Sequence, residues 1–401
     1  MKSLRIVLVF LEAPVPFGHV TGRWSSVLLA ELVRRGHRVT AFAACSQRAE
    51  IDAARMLFPA PQYDLRLYPF PVRRGLRAKL DSFRKPFSYP FSDELKADLN
   101  STLADGYDVL HLEELASGWV APRETNRCLL NVLFLYAIDL EAIAPVGWRG
   151  RLERYLMRKA ERRLLNRFRL IRTLSDRLAY RVRQIAPRTN VMVAPFGIDP
   201  NLYEYIADEC RTTTPIVSVI GNMNWYPSHS AAVRLLTRLW PGIKARVPTA
   251  RVQIVGWGAR TALNEYLQLP DVEILENVPD IRPYFQRTGV LLYAPGRGSG
   301  MKVKILEAFA FGIPVVTTSE GVEGIPALDG IHAGIAETDA DLIARTVELL
   351  GDSDRQNRYR SAARRLLEDH CGPGPSVDAI ERIYGQMRES AGESPGRRFS
   401  R

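Results

Sequence analysis

A chain of 401 residues is longer than one ordinary domain and calls for two or three. With 46% hydrophobic and 25% charged residues it has a globular composition, which excludes global disorder. The net charge is +11, and the four cysteines (Cys45, Cys128, Cys210, Cys371) lie far apart with no CxxC pair, which excludes a disulfide framework and a cysteine zinc site and suits a reducing compartment.

The first element in chain order is LRIVLVF, a buried strand. Its apolar run ends at Glu12 and Pro14 with no small-residue cleavage site, so it does not read as a signal peptide. No stretch approaches the ~18–20 unbroken apolar residues of a membrane span, and the expectation is a cytoplasmic protein. A Pro/Gly loop, APVPFGHVTGR, leads to a helix over about 24–35 that Gly36 ends, and then to the strand HRVTAFA. Further strands fit at 108–112 (DVLHL) and 128–136 (CLLNVLFLY), then at FRLIRTLS and NVMVAPFGI after an arginine-rich helix. Apolar runs separated by Gly-containing loops and helices are the mark of a parallel sheet covered on both faces.

A second β/α series opens at 215–222 (PIVSVIGN). It runs through a helix over about 230–245, the strands RVQIVGWG, VEILENV and GVLLYAP, a glycine-rich turn GRGSGMK, the helix VKILEAFAFG and the strand IPVVTT. The expected organisation is therefore α/β, two Rossmann-like doubly wound parallel-sheet domains facing across a cleft. The boundaries are 1–197, a linker over 198–214, a second domain over 215–370, and a C-terminal helix with a disordered tail over 371–401. Ligands are expected at the strand C-termini.

The charge is uneven. Residues 149–183 hold thirteen Lys/Arg against three acids, and 66–85 hold seven against one. Such runs are either solvated helix faces or contacts for an anionic partner. Between 66 and 91 the cations alternate with Tyr68, Phe70, Phe83, Phe87, Tyr89 and Phe91, a mixture that suits an anionic membrane surface.

The most informative stretch is 293–318, YAPGRGSGMKVKILEAFAFGIPVVTT. A strand ends at Pro295, Gly296, Gly298 and Gly300 permit a tight turn, and a helix is expected from about Met301. Its free N–H groups and positive dipole end make a phosphate site. Lys302 and Lys304 sit at that same end, where a cation costs roughly 0.3–1 kcal/mol, so an anion is expected there. Glu307 lies one turn beyond Lys304, and the same spacing also permits a plain i,i+3 ion pair. The glycines do not spell G-x-G-x-x-G, and no GxxxxGK[ST] occurs.

The run G-S-G-M-K-V-K-I-L-E-A-x-A-x-G-x-P-V-V-T-T, followed by Glu320-Gly321-Val322-Glu323-Gly324-Ile325, resembles the donor-binding signature of retaining nucleotide-sugar glycosyltransferases of the GT-B fold, group 1 or family 4 type. RRGHRVT, DVLHLEE, TLSD, VAPFGID, IVGWG and NVPDIRPYFQRTGVLLYAP match its other segments in order. The resemblance implies a UDP- or GDP-linked sugar held by the second half. Glu307 would bind the ribose hydroxyls, and the amides of Gly300, Met301 and Lys302 with the Lys304 ammonium would hold the diphosphate. Two departures stand out. Ser299 occupies the position of the family's first glutamate, and the Arg/Lys pair after the first strand of the second half is missing from GNMNWYPSHS. Arg297 or Lys302 is the candidate replacement for that pair.

On the acceptor side the candidates are His111, Asp139, and Gly18 and His19 in the first loop. Asp139 could orient or deprotonate a hydroxyl, or serve as a helix cap. No D-x-D motif lies near either site, so no metal and no cofactor is expected. The resulting reading is a retaining, metal-independent hexosyltransferase, peripheral at the inner face of an anionic membrane. It would move a sugar to a lipid-linked or glycan acceptor in polysaccharide or glycolipid synthesis. A nucleotide-sugar epimerase of the same fold, a basic nucleic-acid-binding protein and an inactive sugar-nucleotide sensor are the alternatives. No nucleic-acid partner is expected, because no recognisable binding module is present.

Overall fold

A strand with apolar side chains on both faces must be covered on both, and a parallel sheet wrapped by helices does this. The computed structural model describes residues 3–17, 20–72, 85–141, 145, 147–207 and 214–392. The chain divides into two compact units, Met1–Gly197 with Pro373–Arg401, and Ile198–Gly372. Each is built on one parallel sheet.

In the first unit the strands are β1 (Arg5–Phe10), β2 (Arg38–Cys45), β3 (Asp64–Pro69), β4 (Val109–Leu112), β5 (Cys128–Val132), β6 (Leu170–Thr173) and β7 (Asn190–Val193). Their order is β3-β2-β1-β4-β5-β6-β7, all parallel. The winding reverses between β1 and β4, where Ile6 pairs with Val109 and Val9 with Leu112. Val7, Val9, Phe42, Leu110, Leu112 and Leu130 lie in one buried cluster. Ser92 and Ser175 accept hydrogen bonds from Leu95 N and Leu178 N, and so start the helices Asp93–Ala104 and Asp176–Ile185.

Several expectations are corrected. β5 is shorter than anticipated because its partner β6 ends at Thr173, opposite Val132, and the chain then leaves the sheet. β3 was not anticipated from the sequence. It is an edge strand whose alternating Asp64, Arg66 and Tyr68 read as polar. Arg66 donates to Asp64 and Asp98, and the Tyr68 hydroxyl donates to Asp98, so this first cation of the basic segment serves the sheet. Tyr68 and Phe91 are core residues, not a membrane face. Phe83, Gly18, His19, residues 208–213 of the anticipated linker and 393–401 of the anticipated tail lie outside the described residues.

The last helix, Pro373–Gly392, belongs to the first unit. It runs past residue 386, where the polar tail was expected to begin. Val377, Ile380, Ile383, Tyr384 and Met387 bury one stripe of it. Arg35 donates to Asp378 at 2.5 Å, to Glu381 and to the Gly374 carbonyl, and His37 Nε2 lies 2.7 Å from Glu381.

The second unit holds β8 (Ile216–Ile220), β9 (Arg251–Gly256), β10 (Val272–Glu276), β11 (Val290–Tyr293), β12 (Val315–Thr317) and β13 (Gly334–Ile335). The order is β10-β9-β8-β11-β12-β13, again parallel, with its reversal between β8 and β11. The helical stretch after β8 runs from Tyr226 to Arg246 and contains a π turn at Leu235–Leu239. Pro241 accounts for it: the ring has no N–H to give and clashes with the carbonyl one turn back.

Tyr384→Phe removes the hydroxyl that lies 2.7 Å from the buried His111 Nδ1. The variant should lose about 1–3 kcal/mol in urea denaturation of the full chain, because a buried ring nitrogen is left without its partner.

Candidate functional site

The glycine-rich segment follows β11, at the C-terminal edge of the second sheet and beside the point where its winding reverses. Open parallel sheets bind ligands at such points. Gly296 donates to Ser230 Oγ at 2.8 Å, and a Cβ there would meet the Tyr226 hydroxyl at 2.8 Å. Space is therefore what this glycine supplies. None of Gly296, Gly298 and Gly300 is left-handed, so the expected tight turn is made without positive φ.

The helix begins at Val303, two residues later than expected, and ends at Phe311. Gly300 and Met301 precede it and Lys302 caps it, so the amides at its opening turn are those of Val303 and Lys304 rather than the three anticipated ones. Gly312, at φ +70°, terminates it. Arg360 donates to the Gly312 carbonyl at 2.5 Å, and Arg364 to that of Ala310 at 2.7 Å. Two guanidinium groups thus hold the negative end of the helix in place.

The cations at the opening turn have distinct roles. Lys302 is buried, and its ammonium reaches the Gly300 carbonyl at 2.5 Å and Glu320 Oε1 at 3.1 Å. Glu320 also accepts from Gly298 N at 2.9 Å. Lys304 forms the i,i+3 ion pair with Glu307 at 2.7 Å and lies 6.0 Å over the Phe285 ring. Glu307 is only 1% exposed. Arg297, in contrast, is exposed. Ser299 is buried, and the carboxylate beside this loop is that of Glu320, from beyond β12. In the sequence Glu320 is only the first residue of the motif that ends at Ile325. Nothing in its local sequence says that the chain folds back to bring it against Gly298.

Among the acceptor-side candidates, His111 is completely buried inside β4. Its Nδ1 lies 2.7 Å from the Tyr384 hydroxyl and its Nε2 3.1 Å from Glu113 Oε1. Glu113 also accepts from Trp24 Nε1 at 2.8 Å and from Asn131. Burial pushes the Glu113 carboxyl up, but His111, Arg172 and Asn131 together hold it below its ordinary range. Arg172 stacks 4.7 Å over Trp24, and burial pushes its guanidinium down to about 10. The ring of His111 is a core member of this network, enclosed by protein, and not a group presented to a substrate. That corrects its expected catalytic role.

Asp139 is buried at the end of a single helical turn, Tyr136–Asp139, not at a strand end. Beside that turn lies a cavity of about 320 Å³ at the C-terminal edge of the first sheet. Glu12, Ser46, Phe70, Glu114 and Leu133 reach it from just beyond β1, β2, β3, β4 and β5. Glu161 lines it from the helix Gly147–Leu165 and accepts from Ala137 N at 3.3 Å. Burial pushes the Glu161 carboxyl up to about 7, and the neighbouring Asp139 charge adds to this. Burial, then Glu12 and Glu113, raise Glu114 well above its ordinary range. Sequence reasoning missed this cavity because its walls come from five loops and a helix, none with a motif.

A family model described as "Glycosyl transferases group 1" matches residues 214–352, and one described as "Glycosyl transferase 4-like domain" matches residues 22–197. The chain belongs to the group 1 glycosyltransferases. A comparison with curated protein sequences finds no match. Solved structures are similar across almost the whole group 1 chain. Sucrose-phosphate synthase from Thermosynechococcus elongatus has a TM-score of 0.69 at 14% identity, covering 96% of this chain and 100% of that one. HepE of Anabaena, in complex with UDP and glucose, has a TM-score of 0.64 at 14% identity, covering 97% and 99%. WaaG, a glycosyltransferase involved in lipopolysaccharide biosynthesis, has a TM-score of 0.65 at 14% identity, covering 95% and 100%. At these identities the likeness is one of fold, and with the two parallel-sheet units it makes this a GT-B fold. No helix among the described residues is long and apolar enough to cross a membrane.

Two outcomes check the electrostatics. Glu320→Ala leaves the buried Lys302 without its carboxylate and should cost about 3–5 kcal/mol, part of which Lys302→Met recovers on the same background, read by urea denaturation. Native Glu161 keeps its proton to about pH 7, whereas the unfolded chain releases it near 4.5. The native state therefore binds the extra proton over that window, and this group's contribution to stability falls as pH rises through it. The stability of Glu161→Gln relative to the unmodified chain should accordingly increase from pH 5 to pH 8. An identical difference at both pH values would contradict the shift.

Proposed function

We propose that this group 1 glycosyltransferase transfers a sugar, with retention, from a nucleotide diphosphate donor to a hydroxyl acceptor. The observation that carries the reading is the loop after β11, where exposed Arg297, the Lys304–Glu307 pair and the helix opening at Val303 lie within eleven residues of one another. The Lys304–Glu307 pair carries no net charge, so a diphosphate there needs a further cation, and Arg297 supplies it. Glu307 accepts from the ribose hydroxyls. Lys302 and Glu320 keep the loop in shape. The UDP and glucose named with the HepE structure support a UDP-sugar as the donor.

As the anomeric C–O bond breaks, negative charge grows on the leaving phosphate oxygen. The Lys304 ammonium and the amides of the opening turn stabilise it electrostatically, with no step assigned to a metal. The acceptor hydroxyl adds on the face the phosphate leaves, and its proton passes to the departing phosphate oxygen.

A lipid-linked acceptor at an anionic membrane surface is the second part of the proposal. Helix Gly147–Leu165 supports it: Trp148, Leu152 and Tyr155 are 69%, 43% and 61% exposed at helical spacing, among exposed Arg149, Arg151, Arg158 and Arg162. Rings and a leucine that enter the lipid boundary, flanked by guanidinium groups at the headgroups, suit peripheral binding.

Glu307→Ala and Arg297→Ala should each raise the donor KM by tenfold or more, and Lys304→Ala should lower kcat/KM by about 10²-fold, measured with UDP-sugars. Unaltered kinetics in all three variants would overturn the assignment of the loop. Trp148→Ser with Tyr155→Ser should reduce sedimentation with anionic vesicles, and Arg149→Gln with Arg151→Gln should reduce it while leaving binding to neutral vesicles unchanged.

A further inference from the structure

The winding of the second sheet reverses between β8 and β11, so two segments meet there. One is the loop after β11. The other is the stretch 221–230, GNMNWYPSHS, which leaves β8 and opens the helix Tyr226–Arg234. This stretch contains no Lys or Arg, so on its side an anion is met by a neutral donor or by His229. His229 Nε2 lies 3.4 Å from the Ala262 carbonyl and is taken up there.

The stretch is held by its own hydrogen bonds. Asn224 N donates to Asn222 Oδ1 at 3.0 Å, Trp225 N to the Asn222 carbonyl at 3.1 Å and Met223 N to the Trp257 carbonyl at 2.9 Å. Ser228 Oγ lies 3.2 Å from the Tyr293 hydroxyl at the end of β11. Pro227 stands in the first turn of the helix, where its missing N–H costs nothing. Tyr226 is therefore mounted on a fixed backbone.

Its hydroxyl stands apart from others in the chain. Tyr68, Tyr293 and Tyr384 each engage a side chain, Asp98, Ser228 and His111 respectively. Tyr226 is half-buried, and its hydroxyl has no hydrogen-bond partner among the described residues. It lies against the loop after β11: a Cβ on Gly296 would stand 2.8 Å from the hydroxyl and 3.1 Å from the ring carbon Cε1. Gly296 does not hold positive φ, so its conformation does not demand glycine, whereas room for this hydroxyl does. The Gly296 N–H is already given to Ser230 Oγ at 2.8 Å. A tyrosine hydroxyl thus points at the residue just before Arg297 with its proton uncommitted.

We propose that the Tyr226 hydroxyl donates a hydrogen bond to the donor diphosphate, at the phosphate that carries the sugar. The proposal rests on the glycosyl-transfer reading and deepens it by adding a neutral donor to that site. With the ribose on Glu307, the phosphate next to the ribose lies at the helix opening at Val303. The further phosphate then lies toward Arg297 and Gly296, where Tyr226 stands. A hydroxyl that donates to an ionised oxygen makes a short, strong hydrogen bond. Its hold grows as the anomeric C–O bond breaks and the electron pair stays on that phosphate's oxygen. The tyrosine keeps its own proton, and the proton the phosphate takes up comes from the acceptor hydroxyl.

The test is isothermal titration calorimetry of the full chain with UDP, GDP and ADP, each against its monophosphate. For the nucleotide that binds best, Tyr226→Phe should lower diphosphate affinity about ten-fold and change monophosphate affinity by less than about two-fold. The Tm without ligand should not move, because no internal hydrogen bond is lost, in contrast to Tyr384→Phe. Gly296→Ala crowds the hydroxyl and should also weaken diphosphate binding. Its effect should be smaller on the Tyr226→Phe background, where the atom it collides with is gone. Unchanged diphosphate affinity in Tyr226→Phe, an equal loss for diphosphate and monophosphate, or a Tm lowered as much as in Tyr384→Phe would each overturn the proposal. Arg297→Ala and Glu307→Ala are titrated alongside. Weaker binding in those two with none in Tyr226→Phe sinks the Tyr226 assignment alone. Unaltered affinity in both, or no binding of any of the three diphosphates, sinks the donor-loop reading and the placement of Tyr226 with it.

Discussion

Covering both faces of a parallel sheet with helices leaves only the ends of its strands open to a ligand, and this constraint governs both halves of the molecule. In each sheet the winding reverses beside the first strand of the unit, β1 or β8, so neighbouring loops diverge there and leave room. The chain puts its unusual chemistry at those two places: a glycine-rich loop and a helix opening beyond β11, and a cavity of carboxyls and rings beyond β1 and β4. Elsewhere buried polar groups pair with one another or with the backbone, as His111 does with Tyr384 and Glu113 and Arg172 with the Ala194 carbonyl.

The two places are electrically opposed. The loop after β11 gathers cations, but two of them are already matched by carboxylates within the loop's own unit, Lys302 by Glu320 and Lys304 by Glu307. Internal pairing of this kind shapes a loop while adding little net charge. In the function proposed above, the recognition of an anion then falls on the helix opening and on Arg297. The cavity of the first unit gathers carboxyls that burial keeps protonated further toward neutrality, and such groups donate hydrogen bonds as readily as they accept them.

Much of this was legible in the sequence. Strands buried on both faces, such as LRIVLVF and RVQIVG, announce themselves as unbroken apolar runs, and the alternation with helices leads to parallel sheets. The glycine-rich turn and the helix after it were legible because their pattern is local, with Lys304 and Glu307 one turn apart on one helix. What stayed hidden depends on long-range meetings. β3 alternates polar and apolar residues because its outer edge is open. Glu320 meets Gly298 across 22 positions, and Tyr384 meets His111 across 273. Tyr68, Phe70, Phe87, Tyr89 and Phe91 resembled a membrane face because composition cannot distinguish rings that line a core or cavity from rings that face lipid.

The central claim is that a nucleotide diphosphate sits on the loop after β11. A crystal structure of the full chain grown with UDP addresses it most directly. The account predicts ribose hydroxyls on the Glu307 carboxylate and the diphosphate between Arg297 and the amides that open the helix at Val303. A diphosphate bound anywhere else, with Glu307 making no contact to the ribose, would contradict it.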